Sequence, residues 1–247
     1  MVGEDCTTFV VWNDINIIKG WYKSCLRIPS SQKPMTERKL RQGYFDVRDE
    51  IKRRLDGFKK LWQTGGDDEI FAELVFCMLT PQSRAKVCWR AVENLIRKGL
   101  LIKGSQDEIA HELVGVRFNR KKAEYIVGAR EQFMVDGRLS IKARIAQFDN
   151  PFDAREWLVH NIRGIGYKEA SHFLRNIGKG EGLAILDRHI LRNLKALDVI
   201  EEIPRTLSRS KYLEIEAKMR GVAEKIDIPM GELDLLLWYI GTGEVFK

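Results

Sequence analysis

The stretch that decides the fold of this chain is RGIGYKEA, residues 163–170. Two glycines one residue apart suit a tight turn, and apolar residues at helical spacing follow it. Glycine lets the backbone approach a phosphate closely, and the N-terminus of the next helix favours an anion. The stretch therefore predicts a hairpin between two helices that contacts phosphates, with Lys168 at the start of the second helix and Asp187 further along.

Helical patterns extend on both sides of this hairpin. Asn150 and Pro151 suit the N-cap and first residue of a helix that ends near Asn161, and Gly178 suits the end of the helix after the hairpin. Other predicted helices cover residues 47–62, 70–79, about 82–98, a segment capped by Asn119 that runs through Tyr125, about 208–226 and 229–240, with a capping box at Ser105 and Glu108. Because no convincing set of alternating strands is present, the pattern predicts an all-α fold.

Composition indicates a globular chain with an N-terminal extension. Its 247 residues are 44% apolar, enough for one domain or two closely packed lobes. Residues 1–34 form a weakly specified extension in which Thr7 to Trp12 fit a short strand, and residues 35–247 form the working domain. Met35 at this boundary raises the hypothesis that an upstream start was assigned in error.

Charge and cysteine usage narrow the class of partner. A net charge of +7 and a pI near 9.2 favour an anionic partner such as nucleic acid, although this excess also fits a solvated surface. The densest basic run is expected either to be a solvated face or to contact phosphates; it comprises Arg117, Arg120, Lys121 and Lys122. The cysteines show neither metal-ligand spacing nor the density of a disulfide scaffold; they are Cys6, Cys25, Cys77 and Cys88. We therefore expect a reduced, intracellular (cytoplasmic) protein without a membrane span.

Four segments resemble the helix-hairpin-helix DNA glycosylase superfamily, and most closely its archaeal-type 8-oxoguanine DNA glycosylase family. They read FCMLT at 76–80, GIGYKEASHFLRN at 164–176, AILDRH at 184–189 and LDLLLWY at 233–239. Together they cover most of residues 40–247 in the family's order. The resemblance implies a two-lobed helical fold with the hairpin at about 160–178 and the active site in the cleft between the lobes.

The resemblance also implies a bifunctional repair enzyme. It would excise 8-oxoguanine through a Schiff base on Lys168 and then nick the strand by β-elimination, acting as a monomer on double-stranded DNA that contains 8-oxoguanine or abasic sites. Asp187 would stabilise the positive charge that develops on the sugar. Taken singly, Lys168 also fits an exposed surface lysine and Asp187 the N-cap of the next helix. No cofactor is implied beyond a monovalent cation at the hairpin carbonyls.

Other residues are assigned to the base and to the DNA by the same resemblance. The base-binding set would be Trp238 and Lys247, the latter through its terminal carboxylate. We add Asp234, which lies four residues before Trp238 on the same helix face, and Tyr125, from its position between the first lobe and the hairpin. The DNA-binding set would be Gly164, Gly166, His189 and Gln82. From the residues alone, Trp238 equally fits a core position, Asp234 a solvent-facing acid, His189 a packed or solvated ring, and Gln82 a polar residue at a helix N-terminus.

Three competing functions share part of this pattern. An endonuclease-III-type glycosylase for oxidised pyrimidines usually carries a cysteine-ligated iron–sulfur cluster after the catalytic region, and no cysteine follows Cys88 here, so no such cluster is expected. A non-catalytic helix-hairpin-helix module needs only the glycines, and the pairing of Lys168 with Asp187 argues against it. A structural helical protein needs neither.

Overall fold

The computed structural model describes residues 35–245, which contain twelve helices and one minimal hairpin of strands. The first half contains α1 (Glu37–Thr64), α2 (Asp67–Leu79), α3 (Ala85–Arg97), α4 (Leu100–Lys103), α5 (Gln106–Glu112) and α6 (Asn119–Phe133). After β1 (Met134–Val135) and β2 (Arg138–Leu139), the second half contains α7 (Ile141–Ile145), α8 (Pro151–Asn161), α9 (Tyr167–Asn176), α10 (Arg188–Ala196), α11 (Arg209–Ile226) and α12 (Met230–Thr242). The predicted all-α class is confirmed. None of the helices in this described part is long and apolar enough to cross a membrane.

The strand hairpin is the one departure from helix that the sequence did not predict. β1 and β2 pair antiparallel, with Met134 opposite Leu139, and Asp136 and Gly137 form the turn between them with positive φ. Two residues per strand are too few for an alternating pattern to show in the sequence. The predicted strand at Thr7 to Trp12 lies outside the described residues.

Helix starts follow the predicted capping chemistry in most places. Asn150 accepts a hydrogen bond from the Asp153 amide and caps α8, with Pro151 as its first residue, and Ser105 and Glu108 form the capping box of α5. The prediction for Asn119 was wrong. Phe118, in a left-handed conformation, is the N-cap of α6, and the Asn119 side chain instead donates to the Ala110 carbonyl at 3.1 Å.

Buried apolar side chains form two clusters. One gathers the interior of α2, in which every residue from Ile70 to Leu79 is buried, with α3, α6, α8 and the apolar face of α9. The other joins α1, α10, α11 and α12. The arrangement of two lobes around a cleft stays a prediction from the resemblance.

A buried ion pair connects three of these helices. Arg155 on α8 donates from Nη1 and Nη2 to Glu216 on α11 at 2.6 and 2.9 Å, and Nη1 also reaches the Ser171 hydroxyl on α9 at 3.2 Å. Glu216 accepts a further bond from the Ala184 amide at 2.8 Å. Because both charged groups are almost fully removed from water, each depends on the other for solvation.

Replacing Arg155 with Met is expected to lower the free energy of unfolding by about 3 kcal/mol, because the Glu216 carboxylate is left buried without its cation. Urea denaturation followed by circular dichroism measures this change. Lys211→Met, which breaks an exposed pair with Glu214 on the same helix as Glu216, should leave the midpoint unchanged. An Arg155→Met protein that unfolds at the native midpoint would contradict the prediction.

Candidate active site

The hairpin connects α8 to α9 through Gly164 and Gly166. Gly164 has φ of +87°, and a Cβ built there would lie 2.2 Å from Cδ2 of Tyr125, whose ring packs directly against it. Gly166 is the N-cap of α9, and its amide donates to the Glu169 carboxylate at 3.2 Å. A phosphate at the Gly166 amide therefore has to compete with this carboxylate.

Gly164→Ala is expected to destabilise the protein by about 2 to 4 kcal/mol, since alanine is strained at this φ and its methyl group overlaps the Tyr125 ring. Gly137→Ala is the matched control, because Gly137 also has positive φ but has no atom within 4 Å of an added Cβ. We expect a loss of about 1 to 2 kcal/mol there. Equal losses in urea denaturation would show that Tyr125 moves aside at no cost.

Lys168 is the second residue of α9 and points to the end of α2. Its Nζ donates to Oγ1 of Thr80 at 3.0 Å and lies 3.8 Å from the Glu169 carboxylate. Only 21% of the side chain is exposed, which excludes the alternative of an ordinary surface lysine. Thr80 was not singled out from the sequence, although it stands at the point where the apolar helix meets Pro81.

Asp187 is the N-cap of α10. Its Oδ1 accepts hydrogen bonds from the amides of His189 and Ile190, both at 2.8 Å. The residue is half-buried. Within residues 35–245, no hydrogen bond to its other oxygen, Oδ2, is formed. The predicted cap is thus confirmed, and one oxygen stays available for a second task.

Asp234 is buried and does not face solvent. Its Oδ2 accepts from Nη1 of Arg175 at 2.9 Å, and its Oδ1 accepts from the amide of Ile185 at 3.2 Å. Burial raises the pKa of Asp234 to about 6, although the Arg175 guanidinium opposes this. Arg175 lies two turns after Lys168 on the same helix, so Asp234 ties the helix of Lys168 to the segment that leads into Asp187. Sequence reasoning missed Arg175, whose signal was its seven-residue spacing from Lys168.

Trp238 and His189 pack edge to face, with ring centroids 5.1 Å apart. A Cβ at Gly241 would lie 2.9 Å from Nδ1 of His189, so the imidazole also packs closely on that glycine. Nε1 of Trp238 is buried and has no hydrogen-bond partner in the described part of the chain. Trp238 is half-buried and packs against the cluster of α1, α10, α11 and α12, and its indole donor is unused.

A pocket of about 460 Å³ collects most of the predicted site residues. They come from separate segments of the chain: Gln82, Lys168, Asp187, His189, Asp234 and Trp238. The amine and the two carboxylates thus face one space, together with an indole ring. This arrangement can attack an electrophilic carbon with an amine, stabilise a positive charge and stack a planar ligand.

The structure separates Tyr125 from this pocket and excludes one alternative reading of Gln82. Tyr125 does not line this pocket, so the structure does not bring its ring together with Trp238; it borders a second pocket of about 220 Å³ beside Gly164. Gln82 is exposed, has φ of +56° and lies in a turn before α3 begins at Ala85, so it is not a helix N-terminal residue. Lys247 lies outside the described residues, as do Cys6 and Cys25.

The basic run divides into exposed and buried members. Arg117, Arg120 and Lys121 are exposed, as a phosphate-contacting surface requires. Lys122 is buried, and its Nζ donates to the carbonyls of Leu79 and Pro81 at 2.7 and 2.8 Å. The expectation that Lys122 belongs to a solvated or phosphate-binding face was wrong, because the helix turns this side chain inward.

Two carbonyls at the hairpin, where the monovalent cation is predicted, accept hydrogen bonds within the chain. The Ile162 carbonyl accepts from the Ile165 amide at 3.3 Å, and the Gly166 carbonyl accepts from the Ala170 amide at 2.9 Å. Each carbonyl oxygen has a second lone pair, so these bonds do not prevent cation binding. The cation itself stays a prediction.

Comparison with known proteins decides the family. The model of the 8-oxoguanine DNA glycosylase family matches residues 51–228. The chain belongs to this family. A similar glycosylase named 8-oxoguanine DNA glycosylase/AP lyase, from Fusobacterium nucleatum, is 48% identical over 204 residues, which is 83% of this chain and 94% of the relative. The one from Methanocaldococcus jannaschii is 46% identical over 204 residues, which is 82% of this chain and 94% of the relative.

Solved glycosylase structures agree with this family. The crystal structure of the Methanocaldococcus jannaschii 8-oxoguanine glycosylase/lyase with 15mer DNA containing 8-oxoguanine has a TM-score of 0.78 at 42% identity, covering 85% of this chain and 99% of that chain. The 8-oxoguanine DNA glycosylase of Thermotoga maritima has a TM-score of 0.77 at 38% identity, covering 85% of this chain and 98% of that chain. The family predicted from the hairpin and its neighbouring segments is confirmed.

Proposed function

We propose that this protein removes 8-oxoguanine from double-stranded DNA and cleaves the strand at the resulting abasic site, with Lys168 as the nucleophile and Asp187 as its partner. The observation that carries the proposal is the pocket shared by the Lys168 amine, the Asp187 carboxylate and the Trp238 ring. Family membership supplies the substrate class. A base within a duplex is out of reach of such a pocket, so the damaged nucleotide has to be flipped out of the stack.

The chemistry then runs through a covalent intermediate. Nζ of Lys168 bonds to C1′ of the flipped nucleotide while the C1′–N9 bond breaks, and the base leaves with that electron pair and takes up a proton. The nitrogen loses a proton and the sugar ring opens to a Schiff base. Removal of a C2′ proton then expels the 3′ phosphate, and water releases Lys168.

Asp187 has the charge and the placement for two tasks in these steps. Its carboxylate stabilises the positive charge that develops at C1′, and it accepts the proton that the attacking nitrogen loses. Because Oδ1 accepts hydrogen bonds from two backbone amides, we assign the proton transfer and the charge stabilisation to Oδ2. A carboxylate that is fixed before the reaction needs no reorganisation during it.

Base and backbone contacts complete the proposal. Trp238 stacks on the flipped base, which is worth about 1 to 3 kcal/mol for an aromatic side chain. Gln82 on its exposed turn enters the gap in the duplex, and His189 and the hairpin around Gly164 approach phosphates, which position the DNA without reading its sequence. The predicted contact of Lys247 with the base falls on a residue outside the described part of the chain.

Borohydride trapping tests the whole proposal. The protein is incubated with duplexes that carry a single 8-oxoguanine, a single oxidised pyrimidine, a single abasic site or only normal bases, and base release and protein–DNA adducts are measured. We expect both products on the 8-oxoguanine duplex alone. An adduct on the oxidised pyrimidine in preference to 8-oxoguanine would point to a glycosylase for another base, and no adduct on any duplex, including one with an abasic site, would refute the lyase.

A further inference from the structure

Lys122 is a buried lysine whose ammonium group is fully engaged. It is only 5% exposed, on the first turn of α6. Besides the carbonyls of Leu79 and Pro81, its Nζ reaches Oγ of Ser83 at 3.3 Å. An ammonium group has three donors, and here three acceptors meet it. Within the described part of the chain, none of these acceptors is a carboxylate.

The acceptors of Lys122 surround Thr80, the partner of the proposed nucleophile. Leu79 and Pro81 are the residues on either side of Thr80 in the sequence, so Lys122 holds the backbone carbonyls of both neighbours of Thr80. The Thr80 hydroxyl donates to the Cys77 carbonyl at 2.9 Å and accepts from Nζ of Lys168 at 3.0 Å. Lys122 on α6 and Lys168 on α9 thus both hydrogen-bond to the turn at residues 79–83, and the backbone of that turn connects the two sets of contacts.

We propose that Lys122 is a positioning residue for the reaction: its ammonium group fixes the turn at residues 79–83, so that the Thr80 hydroxyl holds the Lys168 amine in place. The inference rests on the proposed function, because the reaction of Lys168 is what it governs. It assigns Lys122 no contact with DNA or with the reacting atoms.

The contrast with the neighbouring lysine supports this assignment. Lys121 is exposed and pairs with Glu124 one turn along the same helix, as surface lysines commonly do. Lys122 has no donor left for a phosphate. Burial lowers the pKa of Lys122, because the charged form is disfavoured away from water. Burying a charged group lowers the stability of the fold, so an apolar side chain would be the better choice here if the ammonium group had no role. The buried ammonium group instead binds three oxygens of the turn at residues 79–83, namely the carbonyls of Leu79 and Pro81 and the hydroxyl of Ser83.

The test is a double-mutant cycle between Lys122 and Thr80. Lys122→Met keeps the apolar length of the side chain and removes its donors. We expect a fall of about 10- to 100-fold in the single-turnover rate of 8-oxoguanine excision, since a small displacement of a reacting group has effects of this size. Affinity for a duplex with a tetrahydrofuran abasic analogue, measured by fluorescence anisotropy, should change by less than about 3-fold because no phosphate contact is lost. In a Thr80→Val background, Lys122→Met should add little.

Further variants keep the experiment decisive. Lys122→Gln retains two donors and should recover part of the rate, and it replaces Lys122→Met in the cycle if the latter does not fold. Lys218→Met, which removes an exposed lysine paired with Glu214, should match the native rate. Additive effects of Lys122 and Thr80, an affinity loss as large as the rate loss, or a native rate in Lys122→Met would each overturn the inference. A native protein without excision or adducts would instead refute the proposed function.

Discussion

Lys168→Gln is expected to abolish the borohydride-trapped adduct and to lower strand cleavage by about 10⁴-fold or more, the scale of losing a covalent nucleophile. The glutamine amide has no basic lone pair on nitrogen with which to attack C1′, yet it can still hydrogen-bond to the Thr80 hydroxyl that now accepts from the amine. Single-turnover cleavage of a duplex with an abasic site, with trapping in parallel, measures both effects.

The control for this variant is binding. Lys168→Gln should bind the tetrahydrofuran duplex with nearly native affinity and should unfold near the native temperature, because glutamine suits a helix interior as well as lysine does. Adducts that persist in Lys168→Gln would place the nucleophile on another residue. Loss of binding together with activity would make Lys168 a DNA contact instead.

Asp187→Asn is expected to lower the single-turnover rate of 8-oxoguanine excision by about 10³-fold while leaving the fold unchanged. Asparagine keeps an oxygen that accepts from the amides of His189 and Ile190, and it is as good an N-cap as aspartate. What it loses is the negative charge and the ability to take a proton at Oδ2. The rate loss lies within the range that general acid–base groups contribute.

Asp187→Ala separates the two roles of this carboxylate. Alanine removes the cap as well as the charge, so we expect a similar rate loss and an additional loss of about 1 kcal/mol in the free energy of unfolding. Comparing the two variants by thermal unfolding and excision assays isolates the catalytic part. An Asp187→Asn protein with a near-native rate would show that the cap is the residue's whole contribution.

Local chemistry explains which parts of this molecule could be predicted from its sequence. The caps at Asn150 and Asp187 and the glycine turn before Lys168 depend on neighbours within a few residues, so the sequence alone predicts them. The position of Lys122 could not be predicted in this way, because it depends on a distant segment of the chain. A run of basic residues resembles a solvated face, and only the packing of α6 against the end of α2 shows which lysine turns inward.

Long-range partners account for the remaining differences at the site. Thr80 lies 88 residues before Lys168, so no local pattern pairs the two side chains. The same is true of Arg175 and Asp234, which are 59 residues apart. Tyr125 was assigned to the base because of its place along the chain, whereas its ring packs on Gly164. Such contacts depend on how helices pack, which the periodicity of each helix does not determine.

Both hydrogen bonds that cap α10 go to one oxygen of Asp187, Oδ1, so the fold at this point does not depend on the other oxygen. The oxygen that organises α10 is one that asparagine also has, and in the proposed mechanism the atom that takes up the proton is the other one. Under the proposed mechanism, a single nucleotide change from an aspartate to an asparagine codon is therefore enough to separate folding from catalysis in this protein.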